Sequence, residues 1–482
     1  MDFRAIFAVI GALTTALGAS MLIPAAVDAV AGDPDWVVFL AASLITMTVG
    51  AGLWASSRRD GSPQLSLRQA FLMTALIWVV LTAFAALPLY LSELGLSLTD
   101  AAFEAMSGIT TTGSTVIVGL DHAPPGILLW RGMLQWFGGL GVVVMAIAVL
   151  PMLRVGGMQM FRAEAFETPD RLLPRAAQIA SAMTIIYAVL TLACAALYWG
   201  NGMTLFDAVT HALSTVATGG FSTRDASLGA FANPAIHYIA SAFMILGALP
   251  FILYLGVLQG RLSQLFGDSQ VRLFLILIAA ATALVFWTQV ANSPHEGEEA
   301  FRQALFSVVS TITGTGFTMV DYGAWGPFSA TLFFVIMFIG GCTGSTSCGI
   351  KIFRFQVLAR DLAQHVRQIV YPSMIHIKRY NGRPLPDEVS TSVQAFVFVY
   401  FAAFLVLAIL LSMSGLGSLE AISGAATALT NAGPGLGEVV GPVGNFSTLT
   451  DLQKWLLAIG MLVGRLEVMV ILVLFTPRFW RG

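Results

Sequence analysis

The chain has 482 residues, 57% of them hydrophobic and 10% charged, with a formal net charge of −2. Soluble proteins carry about 25% charged residues, so a chain this apolar has too little polar surface to face water and is read as a membrane protein. The cysteines Cys194, Cys342 and Cys348 form no CxxC or Cys/His cluster, which argues against a zinc site or a disulfide framework.

A spanning helix needs ~20 mostly apolar residues. The first apolar stretch, from Ile6 to about Val30, is too long for a signal-peptide core and is read as a retained helix. A second follows near 36–56. Eight more are predicted near 69–92, 128–153, 176–200, 235–260, 271–292, 328–354, 391–413 and 453–476, giving about ten spans.

Four further segments are half apolar and too short to span. They read LTDAAFEAMSGITTTGST (98–115), LFDAVTHALSTVATGGFST (205–223), FRQALFSVVSTITGTGFT (301–318) and LEAISGAATALTNAGPGL (419–436). Each is predicted as a short amphipathic helix that breaks into a Thr/Gly stretch, followed by a polar loop and a full span. Aligned on the glycine after the short helix, they give Gly113, Gly220, Gly316 and Gly433. A span–short helix–glycine loop–span unit used four times is an internal repeat. The repeats are drawn at 65–155, 172–262, 268–355 and 390–482. Two extra N-terminal helices fill 1–60, and a basic linker fills 356–389.

Lysine and arginine placement sets the orientation. With the N-terminus inside, the inner segments hold Arg4, Arg58, Arg59, Arg68, Arg154, Arg162, Arg171, Arg175, Arg261, Arg272, Lys351, Arg354, Arg360, Arg367, Lys378, Arg379, Arg383, Arg478 and Arg481. The outer side holds only Arg131, Arg224, Arg302 and Lys454. All four glycine loops then lie outside. So do Asp33, Asp35, Asp100, Glu104, Asp121, Asp207, Glu296, Glu298, Glu299, Glu420 and Glu438. These carboxylates either form an acidic vestibule that concentrates cations or lie outside because the rule barely constrains acids.

Non-helical backbone at membrane depth is tolerated only where it is buried in protein or lines a wet cavity. Four loops converging on one axis would present carbonyl oxygens that replace the hydration shell of a monovalent cation. The candidate filter residues are Thr111, Thr112 and Gly113; Thr218, Gly219 and Gly220; Gly314, Thr315 and Gly316; and Asn431, Ala432 and Gly433. Glycine allows the backbone angles that aim carbonyls inward, and threonine hydroxyls brace the loop or add an oxygen ligand. Only the final glycine is common to all four.

Several motifs together carry a family resemblance. They are SGITTTGST (107–115), TVATGGFST (215–223), TITGTGFT (311–318), TNAGPG (430–435), GGLGVVVMAIAVLP (138–151), GGCTGSTSCGIKIFR (340–354) and Gly464-Arg465. Over essentially its whole length the chain resembles the TrkH/TrkG members of the Trk/Ktr/HKT superfamily of potassium transporters. The resemblance implies an all-α membrane protein: four potassium-channel-like helix–pore loop–helix repeats around a central pore, plus two extra N-terminal transmembrane helices. It implies a homodimer in the bacterial inner membrane, with both termini cytoplasmic, that takes up potassium. The ring of filter glycines carries over to Gly113, Gly220, Gly316 and Gly433. Relatives with serine at the first filter position tend to admit sodium, so four glycines lean toward potassium. The fourth loop departs from the pattern, since Asn431, Ala432 and Pro434 replace its Thr- and Phe-rich sequence. An asymmetric ring is therefore expected.

The stretch GGCTGSTSCG (340–349) makes a poor straight helix, because glycine costs ~1 kcal/mol per position relative to alanine. Gly340, Gly341, Thr343, Gly344, Ser345, Thr346, Ser347 and Gly349 are read as an unwound loop in the pore, just below the filter. The alternative is a packing face of small residues. In the resembled family such a loop obstructs the pathway and moves for conduction. A phosphate-binding loop is rejected, since Ile350 precedes Lys351, no Ser/Thr follows and no strand precedes. Arg465 lies about midway in the last span, where a charge normally faces a cavity or a partner. It is either a clasp on backbone carbonyls or, as the resemblance implies, a positive barrier beside the pore. Glu467 points to a different face from Arg465 and is left to another helix.

The inner segment from about Phe355 to Val389 holds Arg360, Arg367, Lys378, Arg379 and Arg383, which gives it affinity for anionic membrane lipid. The resemblance adds a docking surface for a TrkA-type cytosolic regulatory subunit. Nothing in this chain reads as a nucleotide site, so a nucleotide (NAD or ATP/ADP) is expected on that partner. No cofactor in this chain and no nucleic-acid partner are expected. His122, His211, His237, His295, His365 and His376 are scattered without catalytic spacing, which argues against an enzyme. The alternative function is a sodium- or proton-coupled secondary transporter with broken helices. That architecture usually shows two-fold inverted repeats and midplane carboxylates. Here the repeat is four-fold, and Glu467 is the only acid deep in a late span.

Overall fold

The computed structural model describes residues 3–57, 66–148, 172–292, 297–373 and 378–481. Arg58, Arg59, Arg154, Arg162, Arg171, His295, Glu296, His376 and residues 149–151 of the first-repeat motif lie outside the described residues, as do the side chains of Arg175 and Arg383. Within them the regular secondary structure is helical, apart from a small hairpin pairing Arg379–Tyr380 with Arg383–Pro384 and a single bridge from Ile339 to Ile350.

Among the described residues, seven helices are long and apolar enough to cross a bilayer: Arg4–Ala31, Trp36–Ser57, Leu67–Leu91, Pro125–Met145, Gln178–Gly200, Ser269–Ala291 and Asp387–Met413. Their outer faces carry exposed Leu192, Ile276, Trp287, Phe398 and Leu405, as expected where lipid is the solvent. The chain is a multi-pass, all-α membrane protein.

The other three predicted spans are interrupted, which corrects the reading of each as one continuous helix. Pro234–Ala248 and Phe251–Leu258 meet at 99°. Pro250 lacks an N–H and bars the preceding residue from helical angles, so the bend falls there. Pro327–Met337 stops before the Gly/Cys/Ser/Thr stretch, and helix resumes only at Ile352–Val370. The boundary predicted between 355 and 356 therefore falls inside one helix. Asp451–Arg465 ends at the buried arginine and Met469–Leu474 follows, with Glu467 at φ 54° in the break.

The four short helices are Leu98–Ile109, Leu205–Val216, Gly297–Ile312 and Ser418–Thr430. Ser97 and Thr204 cap the first two by accepting the N–H of Asp100 and Asp207. Every one carries an acid in its first turn: Asp100, Asp207, Glu298 with Glu299, and Glu420. Caps and first-turn acids both stabilise a helix N-terminus. The opposite, partially negative ends lead into the glycine loops. Those ends approach the following helix closely. A side chain on Gly138, Gly247 or Gly464 would strike the carbonyl oxygen of Ile109, Val216 or Leu429 respectively. This close approach accounts for the glycines before Arg465 and in the first-repeat motif.

Candidate ion pathway

The four short helices end in the same turn. Thr111 and Gly113 have φ of 54° and 88°, and Thr218 and Gly220 have 51° and 84°. Gly314 and Gly316 have 69° and 82°, and Asn431 and Gly433 have 52° and 87°. The residue between each pair donates its N–H five residues back. Thr112 bonds to Ser107, Gly219 to Ser214, Thr315 to Ser310 and Ala432 to Thr427, at 2.8 to 3.1 Å. Positive φ is natural for glycine, tolerated by asparagine and strained for β-branched threonine. Asn431 therefore fits the turn, and the fourth loop keeps the backbone course of the other three.

The loops close on one another in chain order. A Cβ placed on Gly113 would overlap the carbonyl oxygen of Gly219, and one on Gly220 that of Thr315. One on Gly316 would lie 2.5 Å from that of Ala432, and one on Gly433 2.9 Å from that of Thr112. Each loop abuts the next and the fourth abuts the first. The result is a closed ring in which each glycine marks the closest approach of the neighbouring wall.

Side chains brace the ring. Ser114 and Thr427 both donate to the Gly433 carbonyl, at 2.9 and 2.7 Å. Asn431 Nδ2 donates to Thr112 Oγ1 and to the Met461 carbonyl, both at 2.9 Å. Gln135, on the helix after the first loop, reaches the second. It donates to the Gly219 carbonyl at 2.5 Å and accepts the Phe221 N–H at 3.0 Å. Gln135 is fully buried, and the sequence reading passed over it. Its signal was present: a lone amide within an apolar span needs a partner there.

On one side of the ring a cavity of about 70 Å³ is lined by Gly113, Gly220, Gly316 and Pro434, with Arg131, Arg224 and Asp225 on its walls. Several of the outer acids, read either as an acidic vestibule or as merely tolerated on that side, are committed to ion pairs. Glu104 and Arg131 pair at 2.7 Å with both side chains buried. Asp207 pairs with Arg224 at 2.8 Å, Asp100 with Lys454 at 2.6 Å and Glu298 with Arg302 at 3.0 Å. Each base predicted for the outer side thus pairs with an acid of a short pore helix. These carboxylates hold the scaffold together, and the carboxylate that lines the cavity is Asp225, in the loop after the second filter strand of chain.

On the other side lies the unwound stretch. Residues 338–351 are non-helical, and all of 340–348 is buried. Its two ends are tied by Gly340 N–H to Ile350 O at 2.9 Å and Ile350 N–H to Phe338 O at 3.0 Å. The bend before Pro250 supplies acceptors for the middle. Cys342 N–H donates to Ala248 O at 3.0 Å, and Thr346 donates to Gly247 O through N–H at 3.2 Å and Oγ1 at 2.9 Å. Thr218 Oγ1, in the second loop, donates to Thr346 Oγ1 at 3.1 Å. One broken helix therefore satisfies another, as buried irregular backbone requires.

Arg465 is 3% exposed. Its Nη2 donates to the Gly138 carbonyl at 2.9 Å and its Nη1 to the Thr346 carbonyl at 3.4 Å, and Nη1 also contacts Cys348 Sγ. One side chain thus links the last span, the unwound loop and the first repeat. Lys351 and Arg354, placed by sequence among the inner-face bases, are buried. Lys351 donates to the Ser347 carbonyl, and Arg354 pairs with Glu467 at 2.5 Å. The guanidinium of Arg354 also lies 3.7 Å from the Phe396 ring centre.

The TrkH family, described as cation transport protein, matches residues 36–481. The chain belongs to the TrkH family. A Trk system potassium uptake protein, TrkI, of Halomonas elongata is 44% identical over 480 residues, covering 99% of this chain and 96% of that one. TrkH of Escherichia coli is 38% identical with all of both chains covered, and TrkG of the same organism 35% identical with 96% of each covered. The crystal structure of the potassium transporter TrkH from Vibrio parahaemolyticus superposes over the full length of both chains, with a TM-score of 0.92 and 37% identity. TrkH-family membership makes this chain a cation transport protein.

Proposed function

We propose that this protein takes up potassium ions across the bacterial inner membrane, through a selectivity filter made by the four glycine loops. The closed ring of Gly113, Gly220, Gly316 and Gly433 carries the reading, since four matching turns that abut in chain order are the arrangement a carbonyl-lined filter needs. The names of the Halomonas and Escherichia relatives support potassium as the ion. Filter ligands are drawn from Thr111 to Gly113, Thr218 to Gly220, Gly314 to Gly316 and Asn431 to Gly433. The partially negative ends of four helices behind them favour a cation.

In the same reading the buried stretch from Gly340 to Gly349 is the gate, and Arg465 latches it. The hydrogen bonds from Arg465 to Thr346 and Gly138, and from Thr346 to the bent helix, must break for the loop to move. The orientation puts both termini in the cytoplasm, where the helix Ile352–Val370 and the hairpin after it face a TrkA-type nucleotide-binding regulatory subunit. The functional unit is a homodimer.

Growth of a potassium-uptake-deficient strain on limiting potassium tests the reading. Expression of this chain with its cytosolic partner is expected to restore growth. Failure of the wild-type chain to do so, when correctly inserted, overturns it.

A further inference from the structure

A surface groove of about 470 Å³ lies between the helices Ser269–Asn292 and Ile352–Val370. Leu273, Leu277, Ile339, Phe355 and Ala363 give it apolar walls. Its polar lining is Gln356 and Arg360. The Gln356 amide is already engaged, accepting from the Ser269 hydroxyl at 3.1 Å and donating to the Ser269 carbonyl at 2.7 Å. Arg360 stacks 4.9 Å over the Tyr380 ring, while its Nη1 is buried with no hydrogen-bond partner among the described residues. A buried charged donor without an acceptor is costly, so the geometry fits an anionic oxygen at that nitrogen.

We propose that this groove binds an anionic phospholipid, with the phosphate on Arg360 and an acyl chain along Leu273, Leu277 and Phe355. Charge and apolar area are arranged as that ligand requires: one guanidinium beside an otherwise greasy slot. The slot opens on the flank of a lipid-facing span, next to exposed Ile276. The neighbouring helix extends the same apolar surface through exposed Leu362 and Val366. At the far wall, Ile339 forms the bridge to Ile350 that ties the ends of the buried loop. The bound chain therefore touches the root of that loop. An effect on gating rests on the proposed gate, whereas binding itself does not.

The test uses the full chain purified in mild detergent, with native mass spectrometry of retained phosphatidylglycerol against phosphatidylcholine of the same chains. The wild type is expected to retain phosphatidylglycerol selectively. Arg360→Gln is expected to cut that selectivity about fivefold, the effect of one basic residue at a membrane surface. Arg360→Lys is expected to keep most of it. Leu277→Trp, which fills the slot, is expected to reduce retention of both lipids. Arg367→Gln, exposed on the same helix outside the groove, is expected to change nothing. Equal losses in Arg360→Gln and Arg367→Gln would mean diffuse surface charge and overturn the site. So would full displacement by inorganic phosphate, or conversion of a dimer to a monomer by Leu277→Trp with lipid retention intact. Loss of lipid with unchanged potassium flux would leave the site standing and count against the gate alone.

Discussion

A Cβ on Gly433 would sit 2.9 Å from the carbonyl oxygen of Thr112, the contact that joins the last loop to the first. It is the loosest of the four corresponding contacts. Alanine at any ring glycine also meets a positive φ, a strain of order 1–3 kcal/mol. The expected order of damage is therefore uneven. Gly113→Ala, Gly220→Ala and Gly316→Ala should abolish growth on limiting potassium, and Gly433→Ala should retain the most. Membrane-inserted protein levels, measured alongside, separate a distorted ring from a misfolded one.

Arg465 holds the buried loop through Thr346 and the first repeat through Gly138. Arg465→Ala should raise ion leak through purified protein in liposomes without its cytosolic partner. Arg465→Lys should restore only part of the block, because an ammonium cannot span two carbonyls as a planar guanidinium does. Unchanged or lower flux in a folded Arg465→Ala protein would contradict the latch.

Buried Arg354 pairs with the half-buried Glu467 at 2.5 Å. Glu467→Ala leaves the arginine charge buried, which typically costs about 3–5 kcal/mol. A clear fall in unfolding temperature in detergent is expected. The double variant Arg354→Met with Glu467→Leu should recover much of it, since an apolar pair removes both charges.

Asp35 lies in the short loop between the first two spans and is 1% exposed. Burial pushes its carboxyl above the ordinary value, helped by Asp33 and Glu93 and opposed by the Glu93 N–H. A raised folded-state value means that the group favours folding while protonated. That stability is present in acid, below about pH 3.9, and is lost as pH rises through the folded value. Asp35→Asn should therefore match the wild type in unfolding temperature at acid pH and exceed it at pH 7 to 8. A constant difference across that range would refute the assignment.

Much of the ring was legible because its signals are local. Gly113, Gly220, Gly316 and Gly433 each follow a short amphipathic helix, so a register could be drawn without knowing any contact. What the register could not carry was the backbone tolerance of Asn431, which adopts the same left-handed turn as Thr111 and Thr218. The expected irregular wall is regular in its backbone for that reason. The helix breaks were harder. Hydropathy reads 235–260 and 453–476 as single spans because a bend changes direction and not composition. Pro250 was the available cue, and Glu467 left none until Arg354 was seen beside it. The outer acids left two readings open for another reason: sequence places Glu104, Asp207 and Asp100 on one side of the membrane but does not reveal their pairs with Arg131, Arg224 and Lys454.

The ring of four glycines as a potassium filter is tested most directly by ion flux in proteoliposomes, comparing potassium with sodium for the wild type and Gly316→Ser. The wild type should pass potassium in preference to sodium, and Gly316→Ser should lose that preference while still inserting and folding. A folded Gly316→Ser protein with the wild-type preference, or a wild type that carries sodium as readily as potassium, would contradict the account.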